Sequence, residues 1–84
     1  MGYLRILWDL DDDEAGNVQH IAQHGLTKED VEGVLEHPVS TDASRSSGRP
    51  IALGITLDGR FIGVVYEEID DMTIYPVTAF EVEE

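Results

Sequence analysis

Apolar residues alternate loosely from Tyr3 to Trp8, and this β-rich run predicts a first strand ending at Trp8-Asp9. The period then lengthens. Val18, Ile21 and Ala22 recur on one face of a helix that closes at His24-Gly25, where Gly25 suits a left-handed C-cap. The acidic run Asp11-Asp12-Asp13-Glu14 precedes this stripe and is expected at the positive end of the helix dipole. Thr27 opens a second helix with Asp30 as a shorter capping-box partner and Val31, Val34 and Leu35 as the apolar stripe; His37-Pro38 ends it.

Residues Val39 to Gly48 are dominated by Ser, Thr, Asp and Ala and read as a long exposed loop. From Arg49 the period becomes two, with Ile51, Leu53, Ile55 and Leu57 on one face of a strand. Asp58-Gly59 then signals a two-residue hairpin into Arg60 to Tyr66. A turn at Ile69 to Met72 leads into a last strand, Thr73 to Val82, where Pro76 favours an edge, a strand start or a bulge because it has no N–H for the ladder. Helices grouped before consecutive strands predict an α+β layer. Its order is an N-terminal strand, two helices and a three-stranded antiparallel meander, with both helices on one face of the sheet.

At 84 residues the chain encloses one hydrophobic core, so residues 1–84 are expected to form a single domain. Cysteine is absent, which removes disulfides and thiolate chemistry. The apolar run at the start is too short for a signal peptide and nothing later reaches spanning length, so no membrane association and a cytoplasmic location are expected. A net charge of −13 repels phosphate backbones and disfavours generic nucleic-acid binding. It suits a partner with a basic surface, and it also matches proteins adapted to high salt, where screening blunts repulsion.

The charge is uneven. Within residues 45–60, Arg45, Arg49 and Arg60 face only Asp58, so any anion site is expected there. Arg45, Ser47 and Arg49 offer two guanidinium forks and a hydroxyl apt for a phosphate or carboxylate, and equally apt for internal ion pairs. His24 reads either as a helix C-terminal residue or as an acid catalyst. His20 and His24 share a helix face, but the glutamate of a His-Glu-x-x-His zinc motif is missing. Asp9, Asp11 and Asp13 fall at calcium-loop spacing, yet Glu14 and His20 occupy the positions that need Gly and Glu. Neither a metal nor a cofactor is expected. Trp8, Phe61 and Phe80 are expected in the core.

Several short signatures occur in one order: Trp8-Asp9; His24-Gly25-Leu26 closing a helix; Gly48-Arg49-Pro50 leading a strand with Gly54; and Gly59-Arg60 followed by Phe-Ile-Gly-Val-Val-Tyr. Together they resemble the BrnT family of toxins, bacterial ribonucleases of type II toxin–antitoxin pairs. The resemblance implies a RelE-like fold, a cytoplasmic RNA target and an antitoxin-like partner. It also has departures. The family's basic residue before the His-Gly pair is Gln23 here, the last strand reads Thr78-Ala79-Phe80 in place of a Ser-Ala-Arg type sequence, and a basic tail is replaced by Glu81-Val82-Glu83-Glu84.

Metal-free RNA cleavage needs a base, an acid and cations for the phosphorane. Here Glu67 or Glu68 is the candidate base, His24 the acid, and Arg49 with Arg60 the phosphate clamp, provided that the sheet brings them to one face. Two readings follow: a BrnT-like ribonuclease toxin with reduced or lost activity, or a non-enzymatic protein-interaction module on the same scaffold. A homodimer is compatible with either.

Overall fold

The computed structural model describes residues 5–43 and 48–82. They form an α+β domain of two helices and a five-stranded mixed sheet, in the order β1 (Arg5–Ile6), α1 (Asn17–Gln23), α2 (Lys28–Glu36), β2 (Ser40–Ala43), β3 (Pro50–Ile55), β4 (Phe61–Asp70) and β5 (Thr73–Glu81). The strands lie in the order β1-β5-β4-β3-β2. β2 to β5 pair antiparallel, and β1 pairs parallel with β5. Among the described residues no helix is long and apolar enough to cross a membrane.

Two features enlarge the expected meander. The segment expected as a loop contains β2, whose backbone pairs with β3 from Ser40↔Leu53 to Ala43↔Pro50. Its Ser-Thr-Asp sequence carries no apolar alternation, because an edge strand is held by backbone bonds on one side and buries little. At the opposite edge β1 joins through Arg5 and Leu7, whose N–H groups donate to Met72 O and Ile74 O at 3.1 and 2.9 Å.

The helix ends follow their local sequence closely. α1 closes in a Schellman motif: Gly25, at φ 74°, donates to Ala22 O and Leu26 donates to Ile21 O. Leu26 and Ile21 then share the core. At α2 the Thr27 hydroxyl accepts from Asp30 N (3.3 Å) while the Asp30 carboxylate accepts from Thr27 N (3.1 Å), a complete capping box. The start of α1 departs from expectation. Its first turn holds no acidic residue, and Asp11 to Glu14 lie in turns before it. The cap comes from farther back, because the Asp9 carboxylate accepts from Asn17 N at 2.9 Å.

Asn17 ties this corner together. Its side-chain oxygen accepts from Asp9 N at 2.9 Å, and its amide donates to Leu7 O and Pro76 O at 3.1 and 2.9 Å. The Tyr75 hydroxyl donates to the same Asp9 carboxylate at 2.6 Å. These bonds lock β1, α1 and β5 to one another beside a register shift between Val65 and Tyr66, which leaves Val77 without a partner on β4. Pro76 thus sits at a bulge, one of the places expected for it.

Both helices pack on one face of the sheet. Ile21, Val31, Val34 and Leu35 meet Ala52, Ile62, Val64, Tyr66, Ile74 and Ala79 in one buried cluster. The layers approach closely at Gly54, where a Cβ would lie 3.0 Å from Val34 Cγ1. Trp8 packs on the margin of this core, and its indole N–H donates to Glu32 at 2.9 Å.

Candidate functional site

Strand alternation normally turns the bulkier phase toward the core. β3 does the reverse. Ala52 and Gly54 face the helices, because α2 comes too close for larger side chains, and Ile51, Leu53 and Ile55 are turned to the outer face. β4 and β5 complete that face. Ile55 pairs with Phe61, Leu53 with Gly63 and then Phe80, and Ile51 with Val65 and then Thr78. Gly63 lets Leu53, Phe80 and Ile51 lean together over it, each within 3.4 Å of where its Cβ would stand.

No described element packs on this face. Ile51, Leu53, Phe61 and Phe80 are half-buried by one another, and Ile55 is 61% exposed, whereas the helix-side residues Ile62 and Val64 are at 0%. Phe61 and Phe80 therefore lie outside the main core where they were expected. The loop from β3 to β4 carries the apolar surface further, with Leu57 fully exposed.

That loop is one residue longer than the expected two-residue hairpin. Thr56 O accepts from Gly59 N at 3.0 Å, Thr56 N donates to Arg60 O at 2.8 Å, and Gly59 stands at φ 91°. This is a three-residue loop closed by a glycine bulge. The Thr56 hydroxyl donates to the Asp58 carboxylate and accepts from Arg60 N at 3.0 Å. The Thr56 bond, followed by that from Arg60, holds the Asp58 carboxyl below its ordinary pKa.

The residues singled out for chemistry separate into two groups. Arg60 points to the helix side, where it donates to Gly25 O (2.8 Å), Asp30 (3.1 Å) and Asp58 (3.0 Å). It pins the strand loop to the α1–α2 junction. His24 is the C-cap residue of α1 beside it, with its ring 5.6 Å from that of His20. Arg49 and Glu67 meet at the other end of the β3–β4 ladder and on the outer face, where the Arg49 Nε and one terminal nitrogen each lie 2.8 Å from Glu67 Oε1. Along β4 the step from Arg60 to Glu67 is about 23 Å at the usual strand rise. The four residues do not surround one phosphate-sized centre.

Arg45 and Ser47 of the expected anion site lie outside the described residues. Its remaining member, Arg49, is engaged with Glu67. The His20–His24 pair gains no third ligating group, since no cluster of three His, Cys, Asp or Glu is placed for a metal among the described residues. A concavity of about 380 Å³ between α1 and α2 is lined by Val18, Ile21, Ala22 and Leu26, with an Asp11–Lys28 ion pair of 2.9 Å at its margin. Its ionisable lining is Asp11, Lys28 and Glu29, and Lys28 is engaged by Asp11.

Compared with models of known protein families, with curated proteins and with solved structures, the chain matches none. Its function therefore rests on its own geometry. The sequence signals for the outer face were the Ile51-Leu53-Ile55-Leu57 alternation and Gly54; what hid the face was that alternation reads the same whether the apolar side points inward or outward.

Proposed function

We propose that this chain is a non-enzymatic protein-interaction module on a RelE-like, BrnT-like scaffold, and that the outer face of the sheet is its binding surface. The observation that carries this reading is the inverted phase of β3, which turns Ile51, Leu53 and Ile55 away from the helices. A contiguous apolar patch of this kind costs solubility unless a partner covers it. An acidic protein of net charge −13 with its Arg49 and Arg60 side chains held by carboxylates is poorly equipped to hold a phosphorane, and the candidate acid and base lie at opposite ends of the ladder.

The test has two arms. Purified protein is incubated with RNA at low and high salt, and the expected result is no cleavage in either. In parallel, the neutral dye Nile red is expected to brighten on the native protein and to lose that signal in Leu53→Gln and Phe80→Gln, both still folded by circular dichroism. RNA cleavage that disappears in Arg49→Ala, or dye binding indifferent to both face substitutions, would overturn the reading.

A further inference from the structure

We infer that His20 and His24 form an open chelate for a divalent transition ion of the imidazole-preferring class, copper(II) before nickel(II) or zinc(II). The pair belongs to the helix layer, across the sheet from the outer face, and the inference is independent of that face. The two residues stand about one helical turn apart, a spacing that sets both side chains on one strip of helix surface. Both are exposed, while Ile21 beside them is 1% exposed and turns into the core.

The ring geometry suits one shared ion. The ring centroids are 5.6 Å apart and the planes are tilted by 47°. Two imidazoles bound through nitrogen at about 2.1 Å, with ligand angles of about 90–110°, hold their centroids about 4.6–5.3 Å apart. Closure by about 0.3–1 Å, within reach of exposed side-chain torsions, brings both rings onto the ion. Among the described residues neither imidazole enters a hydrogen bond or an ion pair, so its nitrogens are not committed to a protein partner there.

A seven-residue helix is marginal by itself, but α1 is fixed at both ends. Asn17 donates to Leu7 O and Pro76 O at its start. At its finish Leu26 N donates to Ile21 O, and Arg60 donates to Gly25 O at 2.8 Å. The turn that carries both rings is therefore in place before an ion arrives, which lowers the ordering cost of binding. The Arg60 cation at that end is shared by Asp30 and Asp58, and the chain carries −13, so the surrounding field favours a cation.

The donor set selects the ion. A structural zinc centre takes four protein ligands and a catalytic one three, and no such set is assembled among the described residues. Two imidazoles leave the other positions to water. Imidazole suits copper(II), nickel(II) and zinc(II), whereas calcium and magnesium take oxygen ligands. Copper(II) ranks first among the first-row divalent ions, and its tetragonal geometry accepts two adjacent nitrogens with oxygen elsewhere.

The test titrates copper(II) into the whole chain by calorimetry, with excess magnesium present to occupy carboxylates, and examines the bound ion by electron paramagnetic resonance. The native protein is expected to show an ion with two imidazole nitrogens in its coordination plane. His20→Ala and His24→Ala are each expected to weaken binding about tenfold, and His37→Ala, at the exposed end of α2, to leave it unchanged. Gln23→His combined with His24→Gln keeps the number of histidines but breaks the one-turn spacing, and it is expected to bind as weakly as His24→Ala. All these positions are exposed, and circular dichroism checks that each variant keeps the native fold.

A loss confined to one of the two histidines means a lone imidazole and overturns the chelate. Affinity unchanged in both single variants, as carboxylates or the terminal amine would give, overturns it as well. So does a respaced variant that binds like the native protein.

Discussion

Replacing Asn17 by Ala tests the corner on which α1 is placed. The residue is 2% exposed, and its side chain makes the bonds to Asp9 N, Leu7 O and Pro76 O. The Ala variant keeps the backbone bond from residue 17 to Asp9 but strands those other groups. At about 1 kcal/mol for each hydrogen bond removed, the loss is about 3 kcal/mol. A small domain has about 5–10 kcal/mol to lose. With a urea slope of about 1 kcal/mol per molar, the unfolding midpoint falls by about 2–3 M. The lone tryptophan, Trp8, reports the transition because its indole is bonded to Glu32 across the same part of the molecule.

Asn17→Asp sharpens the test. It keeps an acceptor for Asp9 N but sets a carboxylate against Leu7 O, Pro76 O and the Asp9 carboxylate. The folded-state pKa of the new carboxyl is raised, so the deficit relative to the native protein is small below about pH 4 and grows as pH rises. A loss under about 1 kcal/mol for Asn17→Ala, or an Asn17→Asp protein as stable as the native one at neutral pH, refutes the reasoning.

Other outcomes follow from the same structure. The bond to Asp9 raises the Tyr75 phenol to about 12 and lowers the Asp9 carboxyl below 3.8, so its stabilising effect persists from the ordinary carboxylate range up to pH 10. The alkaline part is lost as pH rises from 10 toward 12 and the acid part as pH falls below 3.8; thermal melts should show Tyr75→Phe flattening both. Gly54→Ala drives a Cβ to 3.0 Å from the buried Val34 and is expected to cost about 1–3 kcal/mol, with Val34→Ala relieving part of it in a double-mutant cycle. Gly63→Ala meets only side-chain atoms on the open outer face and should cost less than about 1 kcal/mol by urea unfolding. Arg60→Ala, which unpins the hairpin from α1 and α2, should lower Tm more than Arg49→Ala, whose ion pair with Glu67 is more exposed than that of Arg60 with Asp30.

Local signals in the sequence determined the features whose partners lie within a few residues. Thr27 with Asp30 sets the start of α2, Gly25 sets the end of α1, and the period-two runs set β3, β4 and β5, because capping bonds and strand alternation need no distant contact. The α+β class followed from their order. Tertiary structure alone decided the rest. β2 exists because β3 offers it an edge, β1 is placed by β5, and Asp9 becomes a helix cap only when Asn17 is folded back against it.

The candidate chemistry shows the same division. Arg49 and Arg60 are equally cationic in the sequence, but the fold gives one to Glu67 and the other to Gly25 and Asp30. The apolar run of β3 is legible in the sequence, and its direction is not. Alternation has two phases, and the close approach of Val34 to Gly54 is what turned the bulky one outward.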